Sequence, residues 1–406
     1  MPLSFPKYAN TLCCILSATS LATGALASGT SSLPTGADVG DQGISPFYRW
    51  SNALPHSPGE LLRKEALPAA LTPLHAGSAV RILYTSEDFR WKSGIVPVSG
   101  ALYVPRGDVD KGGWPLIVMA HGTVGMADSC APSWAGPNAS NKNYIDRWLA
   151  AGYAVVATDY QGLGGPGPEP YLNWQAEARS VLDSARAALQ ANRRIANRMA
   201  ITGQSQGSGA SLGAARLADT YAPELKITAA VATASVNYMP DPGTASETVM
   251  PGAGAPHYVI YRMLGGGLPP GRSLDELLSA KGKLLLKSIQ TECSPRDAAE
   301  REGVTLQNAF TVPPEQINLM LGSAGYGEPF KVGFPIMIGS GLADELIPVP
   351  RQLTAVKALC EAGNTVAWKA FSNARHGETL TRSFDEAATF VRSAMTDSHV
   401  EAVCKP

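Results

Sequence analysis

The five residues Gly203-Gln204-Ser205-Gln206-Gly207 constrain this chain more than any other stretch. They stand between a short apolar run, 199–202, and a segment of small residues, 206–219, that reads as a helix. A serine on so tight a strand-to-helix turn needs a strained backbone. Small residues two before and two after it keep neighbouring elements from colliding, so the hydroxyl stands above the end of a sheet. Ser208, Gly209, Ala210 and Gly213 keep the helix slim, and its N-terminus turns partial positive charge toward the serine. The pentapeptide also recurs by chance, so its weight rests on its surroundings.

Those surroundings alternate regularly. Runs at 80–85, 95–104, 116–120, 153–158, 199–202, 227–234, 334–340 and 365–371 read as strands. Stretches at 144–151, 172–192, 206–219, 350–362 and 378–395 read as helices. Strands alternating with helices give an α/β class fold, a mostly parallel central sheet with helices on both faces. Between 239 and 332 the alternation breaks into Pro/Gly clusters and short helical stretches such as 274–286, which reads as an insertion before the last two strands. The expected organisation is a leader at 1–27, an N-terminal arm at 28–79 whose first part is loose, a core at 80–238, the insertion at 239–332 and the rest of the core at 333–406.

Residues 1–27 carry one cation, Lys7, then an apolar stretch diluted by Ser and Thr that ends in Ala25-Leu26-Ala27. This is the pattern of a cleavable signal peptide, shorter than the ~20 residues of a membrane span, and it predicts a secreted or periplasmic protein. Beyond the leader, Cys130, Cys293, Cys360 and Cys404 remain, an even set for which an oxidising compartment predicts two disulfides. Four cysteines allow three pairings. No two of them lie at metal-ligand spacing, so no metal site is expected. The 33 Lys and Arg balance 34 Asp and Glu, which argues against a nucleic-acid partner bound by phosphate neutralisation.

A serine hydroxyl becomes a nucleophile only when a base takes its proton and a carboxylate orients that base. Asp344 follows the 334–340 strand and His376 follows the 365–371 strand, both on loops at strand C-termini, where sites of open α/β sheets gather. Glu345 competes with Asp344, but the shorter carboxylate suits the loop better. Among the histidines His121 is the rival to His376. It ends the 116–120 strand in Ala120-His121-Gly122-Thr123, a position that supplies an oxyanion donor instead of a base. The expected oxyanion hole is therefore the backbone N–H of Thr123 and that of Gln206. Ser205, Asp344, His376 is the chain order of the α/β-hydrolase fold. This chemistry needs no cofactor.

Three further strings complete a pattern. His121-Gly122-Thr123 is followed by Cys130-Ala131-Pro132-Ser133; Asp159-Tyr160-Gln161-Gly162-Leu163-Gly164 is followed by Pro168-Glu169-Pro170-Tyr171-Leu172; then comes the serine pentapeptide. Together, from about residue 80 onward, the chain resembles the secretory lipase family of α/β-hydrolases. The resemblance implies a serine ester hydrolase with a cap inserted after the sixth core strand. It also implies the pairings Cys130 with Cys293 and Cys360 with Cys404. The expected partner is an ester substrate, with at most transient contact with a lipid interface. A peptidase or amidase with the same triad is the alternative, and a non-catalytic binding protein a more distant one. In the insertion, Tyr258, Tyr261, Met263 and Leu264 either line an acyl pocket or form the insertion's own core.

Overall fold

The computed structural model describes residues 32–236, 255–268, 271–321 and 329–404. The leader expected at 1–27 and parts of the insertion lie outside the described residues. Nine strands pair into one sheet: β1 (Leu61–Ala66), β2 (Ala76–Asp88), β3 (Gly94–Pro105), β4 (Trp114–Ala120), β5 (Ala154–Thr158), β6 (Ile195–Gln204), β7 (Ile227–Thr233), β8 (Ile336–Gly341) and β9 (Val366–Phe371). Their spatial order is β1-β2-β3-β5-β4-β6-β7-β8-β9. The first three strands and β5 pair antiparallel, and every pair from β5–β4 to β8–β9 is parallel. β4, β5 and β8 are apolar runs buried almost throughout, as parallel strands covered on both faces must be.

Five helices cover the two faces. α1 (Ala139–Ala150) and, near the C-terminus, a helix at Phe384–Met395 bury Tyr144, Trp148, Phe384 and Val391 against one face. α2 (Trp174–Ala191) and α3 (Gln206–Tyr221) cover the other through Ala178, Val181, Ala185, Ala210 and Ala214. The helix Val349–Glu361 joins that side beside α3, through Val356 and Leu359. α2 starts at Trp174, two residues later than its periodicity predicts, because the Asn173 carboxamide caps it by accepting the Ala176 N–H at 3.1 Å.

Residues 28–79 depart from expectation. Their described part is no loose arm: Asp128 accepts the Gln42 N–H at 2.8 Å, and Asp41 accepts the Gly167 N–H at 3.0 Å. Phe47 and Tyr48 are buried, with the Arg81 guanidinium 5.6 and 5.8 Å from their ring centroids. β1 and the start of β2 extend the sheet into this range. β1 escapes sequence reading because it is a half-exposed edge strand, whose Arg63, Lys64 and Glu65 blunt the hydrophobic pattern.

Between β7 and β8 lie α4 (Pro256–Arg262), α5 (Ala280–Ile289), α6 (Pro295–Arg301) and α7 (Pro314–Leu321). The helix expected over 274–286 is broken: Leu274–Leu277 ends where Leu278 bridges to Phe310, and Ser279 caps α5 by accepting the Gly282 N–H. Tyr261, Met263 and Leu264 are buried among Ile260, Leu277, Leu285 and Ile289, which makes them the core of these helices. Cys130 is bonded to Cys293 and Cys360 to Cys404, the pairing that the resemblance implies. Closing 163 and 44 residues, they stabilise by about 5 and about 4 kcal/mol in the chain-entropy model. Among the described residues no helix is long and apolar enough to cross a membrane.

Candidate active site

The turn between β6 and α3 carries Ser205 at φ 56°, ψ −123°. Such a conformation costs a non-glycine residue about 1–3 kcal/mol, so the surroundings must hold it. They do so by close approach. A Cβ on Gly203 would lie 1.9 Å from the Gly207 carbonyl oxygen, and one on Gly207 would lie 2.0 Å from that of Ala120. Only glycine fits either place. The Ser205 N–H donates to the Thr233 carbonyl at 3.0 Å, and the Ser208 hydroxyl to the Ser205 carbonyl at 2.6 Å. The Ser205 hydroxyl takes no part in capping α3 and points at a histidine instead.

That histidine is His376. Its Nε2 lies 2.8 Å from Ser205 Oγ, and its Nδ1 lies 3.0 and 2.9 Å from the two Asp344 carboxylate oxygens. The Asp344 side chain is fully buried. The Leu346 and Ile347 N–H groups donate to its Oδ1 at 2.9 and 2.8 Å, and Gln352 Nε2 donates to its Oδ2 at 3.1 Å. Glu345, the rival carboxylate, faces the other way: it accepts the His376 backbone N–H at 3.1 Å and pairs with Arg375 at 3.0 Å. Gln204 Nε2 donates to the His376 carbonyl at 3.0 Å, so the residue before the nucleophile also fixes the histidine's loop. Gln204 and Gln352 were not given roles from sequence; Gln204 occupies an unspecified position of the serine pentapeptide, and Gln352 belongs to no motif.

The two expected oxyanion donors, Thr123 and Gln206, follow Gly122 and Ser205 in the chain. Gln206 opens α3, where a backbone N–H has no partner within the helix. Gly122 packs closely on the elbow, where a Cβ would lie 3.2 Å from the Gln204 carbonyl oxygen and in ordinary contact with Ser205 Cβ, which brings the backbone leading to Thr123 beside Ser205. Sequence reading missed the support behind both donors. The Thr123 hydroxyl lies 2.7 Å from that of Tyr171, and the buried Gln206 side chain donates to Glu169 and, at 2.9 Å, to Glu177.

His121 takes no part in the row. It is 2% exposed, its Nδ1 lies 2.7 Å from the Gly122 carbonyl, and burial pushes its imidazole below the usual range. Asp159 and Tyr160 hold loops. Asp159 accepts the Ser99 hydroxyl at 2.6 Å and both the N–H and the hydroxyl of Ser133, and the Tyr160 hydroxyl donates to the His121 carbonyl at 2.9 Å.

Comparison with known proteins places the fold. A family model described as secretory lipase matches residues 139–267. Lipase A of Moesziomyces aphidis is 26% identical over 305 residues, 68% of this chain and 64% of that protein. The chain thus matches under two thirds of the length of this relative. The closed-state structure of Candida antarctica lipase A superposes with a TM-score of 0.70 at 20% identity, covering 89% of this chain and 87% of that one. The rice cell wall degrading esterase LipA of Xanthomonas oryzae superposes with a TM-score of 0.62 at 16% identity, covering 84% and 99%. The segment similar to the secretory lipase model contains the strained turn at Ser205, and over most of its length the chain has the α/β-hydrolase fold of these lipases and esterases.

Proposed function

We propose that the protein is a secreted serine hydrolase of carboxylic esters. The observation that carries this reading is the unbroken row from Ser205 Oγ through His376 to buried Asp344, with contacts of 2.8 to 3.0 Å, at a strained turn. His376 Nε2 takes the Ser205 proton as Oγ attacks the ester carbonyl carbon. Asp344 holds the imidazole with its Nδ1–H turned inward and stabilises the imidazolium. The N–H groups of Thr123 and Gln206 bind the tetrahedral oxyanion, each such donor contributing about 3–4 kcal/mol at the transition state. The carbon–oxygen bond to the alcohol breaks, His376 protonates the leaving oxygen, and an acyl-serine remains. A water, deprotonated by His376, repeats the sequence and releases the acid and Ser205.

Two further readings belong to this proposal. The helices between β7 and β8 form a cap over the acyl side of the site, tied to the loop after β4 by Cys130–Cys293. Residues 1–27 direct export to an oxidising compartment, consistent with the two disulfides.

The test is hydrolysis of p-nitrophenyl esters from acetyl to palmitoyl, with Ser205→Ala as the blank. We expect Ser205-dependent turnover that falls by about 10⁶-fold in the variant. A maximum at long chains identifies a lipase, and a maximum at short chains a carboxylesterase. Hydrolysis that persists in folded Ser205→Ala overturns the assignment.

A further inference from the structure

The segment 168–173 is built more elaborately than a simple connection needs. Glu169 and Glu177 are each 1% exposed, and both accept hydrogen bonds from the same Gln206 Nε2. Glu177 Oε1 also accepts the Leu172 N–H at 2.9 Å, while its Oε2 has no partner. Leu172 stands at φ 59°, which a branched residue keeps only under constraint. From the insertion, Gly265 presses on the segment so closely that a Cβ would lie 2.7 Å from the Tyr171 nitrogen and 2.8 Å from the Glu169 carbonyl oxygen. One short loop therefore grips both expected oxyanion donors, Gln206 through Glu169 and Thr123 through Tyr171.

The charges around the pair are one-sided. Glu169 feels Glu177 from α2 and the Gln206 amide from α3, and it acts in turn on Tyr171 of its own loop and Tyr261 of α4. Glu177 is held by the Gln206 amide and the Leu172 N–H. Arg262, the cation of α4, acts on Tyr171. Two buried carboxylates that share one amide donor resist ionising together, because burial and mutual repulsion both favour the neutral acid. Burial, and then repulsion from Glu177, pushes Glu169 well above the carboxyl range, and burial pushes Glu177 up to about 7.

Resting on the ester-hydrolase reading, we propose that Glu169 and Glu177 form a proton-retaining pair that positions the oxyanion hole: while the pair keeps a proton, the loop holds the Gln206 and Thr123 N–H groups on one point. The sign follows from the raised carboxyls. The neutral form belongs to the ordered loop, so the arrangement is complete at acid pH and is lost as pH rises through about 7 and beyond.

The experiment measures, from pH 5 to 9.5, kcat and KM on p-nitrophenyl butyrate and the rate at which a fluorophosphonate labels Ser205. The proteins compared are the native chain, Glu169→Gln, Glu177→Gln and Glu169→Ala. Native protein should lose labelling rate and kcat on the alkaline side. Glu169→Gln, a neutral isostere, should keep kcat near pH 6 within threefold and lack the alkaline fall. Glu169→Ala should lower kcat roughly tenfold at pH 6 with KM little changed, since it frees the Gln206 amide. Profiles of native and Glu169→Gln that superimpose, in labelling as in turnover, overturn the proposal. Should Glu169→Ala not fold, the Glu169→Gln labelling profile decides alone. Failure of the function itself looks different: Ser205 labels with the alkaline fall, yet no ester is cleaved.

Discussion

Two adjacent carboxylates, Asp344 and Glu345, divide their work by one methylene and one backbone position. Asp344 reaches the ring of His376; Glu345 grips its backbone and Arg375. Asp344→Asn should therefore lower kcat by about 10⁴-fold with the fold intact, because a carboxamide no longer secures the tautomer that accepts from Ser205. Glu345→Gln should cost only a few-fold. Steady-state kinetics on one ester, with thermal melts of both variants, separates the two roles, and the reverse ranking would exchange them. The residues that meet in the row were legible because Ser205, Asp344 and His376 each follow a recognisable strand. From sequence, Gln206 is expected only as a backbone donor. Its side chain, buried against Glu169 and Glu177, carries no signal in a single chain, since a polar residue in a glycine-rich turn ordinarily faces water.

Among the elements, the strands that carry the site were the easiest to see, because a parallel strand covered on both faces is an apolar run. β1 was invisible for the opposite reason, and the break in 274–286 was invisible because its cause, the Leu278–Phe310 bridge, joins residues far apart in sequence. Helix ends were set by side chains that periodicity does not register. Asn173 ends the strained segment through Leu172 and begins α2, so Asn173→Ala should destabilise the protein by about 1 kcal/mol. Urea denaturation followed by circular dichroism measures this, and an unchanged midpoint would show that the cap contributes nothing.

The molecule as a whole buries several acids whose protons are hard to remove. Burial pushes Asp128 and Asp159 up to about 6 and Glu177 up to about 7, and Glu169 higher still than its ordinary range. Each is an acid with a folded pKa above its unfolded one. For Asp128, Asp159 and Glu177 the contribution is complete below the unfolded value near 4 and is lost as pH rises through 6 to 7. The melting temperature should fall from pH 5 to pH 8, as calorimetry at constant ionic strength would record; a flat or rising profile would mean that these carboxyls ionise freely. One end of the sheet bears on a different property. The open flank of β9 is met by the last residues of the chain, where the Val403 N–H donates to the Val366 carbonyl and the Val366 N–H to that of Cys404, and the bond to Cys360 keeps them there. An uncovered strand edge is a template for another chain. The disulfide that closes the shorter loop therefore holds the cover of this edge in place, and opening it would leave a strand free to pair with another chain.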